Sequence, residues 1–159
     1  MNYGTVGPMQ KMLASWNGKW DAEIKMIMGP DLPPMLMNTQ SENTMINGGL
    51  IQQSTHNGNF NGMPFTGVSQ TGYDNHRNIF WSTWYDNFSS GLTYMEGTMD
   101  TTAHVIHLKG TMTDPETKAV IPVREEFKVG NPNEQILEQY YTRKGTETLG
   151  MVITFRRKK

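Results

Sequence analysis

The chain has 159 residues, with 14 Lys+Arg against 15 Asp+Glu and a formal net charge of −1. That length suits a single domain spanning residues 1–159, and the near-balance of charge gives neither nucleic acid nor an anionic membrane anything to attract, so neither is an expected partner. The absence of cysteine excludes disulfides, thiolate metal sites and cysteine nucleophiles.

The N-terminal stretch MNYGTVGPMQKMLASW has no basic run leading into an apolar run, so no signal peptide is expected, and no segment reaches the length of a membrane-spanning helix. The expected compartment is the cytoplasm, in keeping with the missing cysteines; a leader removed upstream would make it the periplasm instead. Residues 8–15, PMQKMLAS, form the one helix expected, with Pro at its start and Met9, Met12 and Leu13 at helical spacing. The next stretch, WNGKWDAEIKMIMG, alternates: Trp20, Ala22, Ile24, Met26 and Met28 fall on one parity, and Lys19, Asp21, Glu23 and Lys25 on the other. That is a strand with one buried and one wet face.

Strand patterns then recur near 35–47, 49–57, 63–73, 78–86, 92–99, 103–112, 119–129, 135–143 and 147–157. Short turn signals separate them, among them Asn47-Gly48-Gly49, NGNFNG at 57–62, DPETK at 114–118 and Lys144-Gly145. A meander of about ten hairpin-linked strands hides its edges best by closing, so the expected fold is all-β: an antiparallel up-and-down barrel with a short N-terminal helix. In the fifth strand Phe80 and Trp84 share one face while Trp81 and Tyr85 share the other. Something must cover that second aromatic face: the helix, or a second copy in a homodimer. Exposed in a monomer, it would make the chain an interaction module. The last strand aligns Met151, Ile153, Phe155 and Arg157, an arginine at the end of an apolar stripe.

Gly18-Lys19-Trp20 after a short helix resembles the Gly-x-Trp signature of lipocalin-like (calycin) barrels. The resemblance implies that a late arginine, here Arg157, packs across Trp20 and closes one end, a stack of roughly 0.5–2 kcal/mol. Essentially the whole chain, from Met9 to Lys158, resembles a bacterial family known only as domain of unknown function 1579. The resemblance is carried by Gly62-x-Pro64-Phe65-x-Gly67, Gly72-Tyr73-Asp74, Trp84-x-Asp86, Glu96-Gly97, Gly110-Thr111 and Asp114-Pro115. It implies the lipocalin-like barrel and no particular activity.

No catalytic constellation stands out. His104 and His107 fall on opposite faces of a strand and cannot share a metal, and His56 and His76 read as solvated residues at or near turns. No metal site and no cofactor is expected. A related family of ten-stranded barrels holds haem through a histidine near its C-terminus, whereas no histidine follows His107 here. Glu125 and Glu126 face opposite ways; Glu96 or Glu138, with Tyr94 or Tyr140 as donor, is the acid a barrel hydratase or isomerase would use. A buried glutamate paired with Arg124 is the structural counterpart of that reading. NGNFNGMPFTG lacks the Gly-Lys-Ser/Thr ending of a phosphate loop and reads as a hairpin. The leading expectation is non-catalytic binding of a small, mostly apolar molecule in the barrel. Trp20, Phe65, Tyr73, Trp84, Tyr94, Tyr140 and Phe155 are the expected ligand-lining residues, with Met26, Met28 and Phe127 near the interior or its mouth. Thr39, Ser41, Gln52 and Ser54 would supply a polar part of the lining.

Overall fold

A computed structural model describes residues 2–159. The helix α1 (Pro8–Ala14) leads into ten strands: β1 (Gly18–Met26), β2 (Met35–Ile46), β3 (Ile51–Phe60), β4 (Met63–Asp74), β5 (Ile79–Asp86), β6 (Thr93–Asp100), β7 (Val105–Thr113), β8 (Val120–Asn131), β9 (Glu134–Arg143) and β10 (Thr146–Arg157). Each strand pairs antiparallel with its predecessor, and β10 returns to β1, closing the barrel. The closing register sets Trp20 opposite Arg157, Ala22 opposite Phe155 and Met26 opposite Met151. No helix among the described residues is long and apolar enough to cross a membrane.

The strand boundaries follow the hydrophobic alternation closely, with two informative departures. β1 stops at Met26, so Met28 is exposed beyond it rather than turned inward. β3 runs through Asn57-Gly58-Asn59 to Phe60, and the chain reverses at Asn61-Gly62, both with positive φ (50° and 86°). That pair is the tight left-handed turn a two-residue hairpin requires. His56 therefore belongs to a strand, not a turn, and His104 is the reverse case: it sits in the turn before β7 with φ 54°.

The helix closes one end. Seven residues cannot hold a helix alone, and what holds this one is the barrel. Leu13 is fully buried, packed with Trp16, Trp20, Phe80 and Ile106. The carbonyls that a helix C-terminus leaves without partners are met by inward side chains. Gln52 Nε2 donates to Leu13 O at 2.6 Å, and Trp20 Nε1 and Asn43 Nδ2 both donate to Trp16 O at 3.0 Å. Arg157 lies 4.4 Å over the Trp20 ring and donates to Ser15 O, Asn17 O and Pro132 O. The closure expected from the Gly-x-Trp resemblance is thus present, and its cation also faces the negative end of the helix. At the other terminus Gln10, 1% exposed, accepts from Gly7 N and donates to Tyr73 O and Asn75 Oδ1.

Candidate functional site

Ten strands enclose more space than their own side chains need fill, so the residues turned inward decide what the barrel holds. Near the helix that space is packed: Trp20 and Phe80 are each only 1% exposed. Farther along the axis the inward positions change character. On β2 to β5 small or polar inward residues, Thr39, Ser41, Ser54, His56, Gly67, Ser69, Thr71 and Ser82, stand among Met37, Phe65 and Trp84, which pack with Ile24 in a second apolar cluster. Ser69, Thr71 and Ser82 stay half-buried although they point inward, as do Leu137, Gln139, Met151, Ile153 and Phe155 on β9 and β10.

His56 occupies this wall, 9% exposed. Its Nε2 shares a 2.9 Å hydrogen bond with Ser54 Oγ, while Nδ1 has no partner among the described residues. Burial pushes its pKa down to about 4, so the ring is neutral at pH 7. Trp84 stands edge-on at 5.1 Å and Phe155 at 6.2 Å. Those contacts belong to an aromatic chain running the length of the lumen: Phe88, Phe65, Trp84, His56, Phe155, Phe127 and Trp16 touch in succession, with centroids 5.1–6.2 Å apart. Phe88, on the loop after β5, leans over the end opposite the helix. Thr39 Oγ1, Asn43 Oδ1 and Gln135 Nε2 are inward, buried and without hydrogen-bond partners.

Across the ring from β3 lies β8, five strands away in either direction. It turns Glu125 inward between Val123 and Phe127, opposite Leu108 of β7 and Gln139 of β9. Burial raises its pKa to about 7, against a smaller downward pull from a Gln139 hydrogen bond. Tyr141 donates to Gln139 Oε1 and is itself pushed up to about 12, first by burial and then by the Glu125 charge.

Of the expected lining residues, Trp20, Phe65, Tyr73, Trp84 and Phe155 do point inward. Tyr94 and Tyr140 do not. In β6 the buried Met95 fixes the inward parity, which leaves Tyr94 outside, 46% exposed and bonded to Glu96. In β9 Tyr141 takes the inward place, so Tyr140 lies outside beneath the Arg124 guanidinium. The carboxylates expected to serve an enzyme are outward too: Glu96 pairs with Arg77, and Glu138 bonds Lys128 and Tyr140. Arg124 pairs with Glu126 and Glu147 on the same outer face and does not reach Glu125. The helix does not cover the outside of β5; Trp81 lies instead across Gly72, where a Cβ would fall inside the indole, and Tyr85 remains exposed.

Two hollows on the outer surface, of about 350 and 730 Å³, lie over β7–β10 and over β1–β3 with Arg156 of β10, and are lined mainly by outward polar side chains. Neither takes in His56 or Glu125. Among the described residues no group of three or more His, Asp or Glu is placed to hold a metal.

Comparison with known proteins agrees with the fold. No curated protein matches the chain. The crystal structure of Rv2717c from M. tuberculosis resembles it with a TM-score of 0.66 at 13% sequence identity, covering 98% of this chain and 100% of that one. At that identity the likeness speaks for the barrel alone. A profile of proteins of unknown function, DUF1579, matches residues 5–157, nearly the whole chain. The chain belongs to the DUF1579 family.

Proposed function

We propose that the barrel binds a small, mostly apolar molecule in its lumen without converting it. The observation that carries this reading is the wall of β3 to β5. Ser69, Thr71 and Ser82 are too small to fill a ten-strand interior, and the side chains facing them keep accessible surface. A core built only for stability would place large aliphatic residues there. His56 Nδ1 and Thr39 Oγ1 offer such a guest polar handles that no protein group uses. Around the end opposite the helix, Met28, Leu32, Met63, Phe88 and Leu92 are exposed, an apolar approach to the interior.

The test uses a neutral hydrophobic fluorophore, N-phenyl-1-naphthylamine. It should bind the wild-type protein saturably and be displaced by alkanes or alkanols. Ser69→Phe, which fills the space beside Trp84 without removing a contact, should weaken it by at least about tenfold, or 1.4 kcal/mol. Absence of displaceable binding, or affinity untouched by Ser69→Phe, would reject luminal binding.

A further inference from the structure

Glu125 is 7% exposed, and no lysine, arginine or histidine among the described residues pairs with it. Its surroundings are defined on every side. From β7 it meets Leu108, along β8 Val123 and Phe127, and from β9 Gln139 and Tyr141. The other titratable groups that the strands turn inward carry no free positive charge. Arg157 is engaged on Trp20 and three carbonyls at the closed end, Arg143 pairs with the buried Asp114 beside the β7–β8 loop, Asp86 accepts from Trp84 Nε1, and His56 is neutral at pH 7. An acid in apolar surroundings is costly as a carboxylate, and here burial lets it keep its proton up to about neutral pH. Glu125 has a hydrogen-bonding neighbour in Gln139 but no counter-ion.

We infer that the lumen takes small organic cations, an amine on an apolar body, with the ammonium paired to Glu125 and the body laid along Phe127 and Phe155. This rests on the lumen being a binding site and adds the class of ligand. An ammonium supplies the charge that Glu125 lacks, and in a low-dielectric interior a charge-assisted contact outweighs the neutral hydrogen bond an alcohol would make. The rings of Phe127 and Phe155, 6.2 Å apart, add faces that attract a cation. On the diametrically opposite strand His56 is neutral and does not repel it.

Octylamine, 1-octanol and octanoate share one chain and differ in head charge, so displacement of the neutral fluorophore by each separates the contributions. Near pH 8 octylamine should bind at least about tenfold more tightly than octanol, and octanoate most weakly of the three. Glu125→Gln, close to isosteric, should erase the advantage of the amine and leave octanol within about twofold. In the wild type the same advantage should shrink from pH 8 toward pH 6, because the amine stays charged while Glu125 regains its proton. That series reads the inference even if Glu125→Gln fails to fold. An amine no tighter than octanol, or an advantage that persists in Glu125→Gln, overturns it. Octanol binding without amine preference sinks the counter-ion alone, whereas failure of fluorophore and octanol together sinks luminal binding as well.

Discussion

Gly67 lies directly beneath Trp84, and a Cβ built on it would fall inside the indole. Flattened there, Trp84 stacks on Phe65 at 6.2 Å, meets His56 at 5.1 Å and donates its Nε1 to Asp86 at 2.8 Å. One missing methyl thus sets the position of an aromatic that touches both the mouth and the polar wall. Gly67→Ala should displace the ring and cost about 1–3 kcal/mol, the usual cost of overpacking, with a shift in tryptophan emission and weaker fluorophore binding. Unchanged emission and stability would mean that the indole does not depend on that glycine. Gly150 plays the same part for Tyr141, whose ring occupies its Cβ position at the bulge in β10. Close approach explains Gly97 and Gly110 differently: a Cβ on either would strike the backbone carbonyl of the neighbouring strand, so β6 and β7 can come together only there without side chains. Asp114, fully buried beside the β7–β8 loop, accepts from Arg143, Thr117 Oγ1 and Glu116 N, which together hold its pKa well below the usual carboxylate range.

Helix and strand differ in how far their sequence betrays them. The helix was legible from Pro8 and the spacing of Met9, Met12 and Leu13, but its stability is tertiary and comes from the barrel that it plugs. Leu13→Ala should lower unfolding free energy by about 2–5 kcal/mol, seen as a lower urea midpoint for the whole chain. Arg157→Lys keeps the charge but loses the planar stack and the fork that reaches three carbonyls; a cost of about 1–2 kcal/mol is expected. For that variant, amide exchange should speed up first in residues 8–17, and equal acceleration throughout would argue that the arginine does not secure the plug. Among the strands, β1 announces its inward face because every residue on that parity is apolar. β8 does so as well: Ile121, Val123, Phe127 and Val129 form a stripe that Glu125 interrupts, which was the available signal for an inward acid. β3 gives no such signal, since its inward set is Gln52, Ser54 and His56 and a polar lumen looks like a wet surface. In β9 both parities carry a tyrosine, and only the register with Val123 places Tyr141 inside and Tyr140 outside. Where the lumen is polar, alternation loses the contrast by which it reports direction.

Taken as a whole, the barrel sets two buried titratable groups of opposite kind on opposite walls, and each bends the pH dependence of stability its own way. An unfolded chain binds a proton on His56 below about 6.5, the folded barrel only below about 4. Between those values the unfolded state holds more protons, so His56 removes stability as pH falls. Glu125 protonates below about 4.5 when unfolded and below about 7 when folded, so it removes stability as pH rises through that interval. Between about pH 4.5 and 6.5 the two slopes oppose each other and largely cancel, and the wild type should vary little there on their account. Removing one exposes the other. Relative to wild type, Glu125→Gln should gain stability with increasing pH, by about 1 kcal/mol per unit from 4.5 to 7. His56→Gln should gain it in the reverse direction, as pH drops from 6.5 toward 4. Differences from wild type cancel the surface carboxylates common to all three proteins, so urea midpoints at four pH values between 4.5 and 7.5 decide the matter. Two difference curves sloping the same way, or neither sloping at all, would show that the lumen does not hold an uncharged imidazole facing a protonated acid.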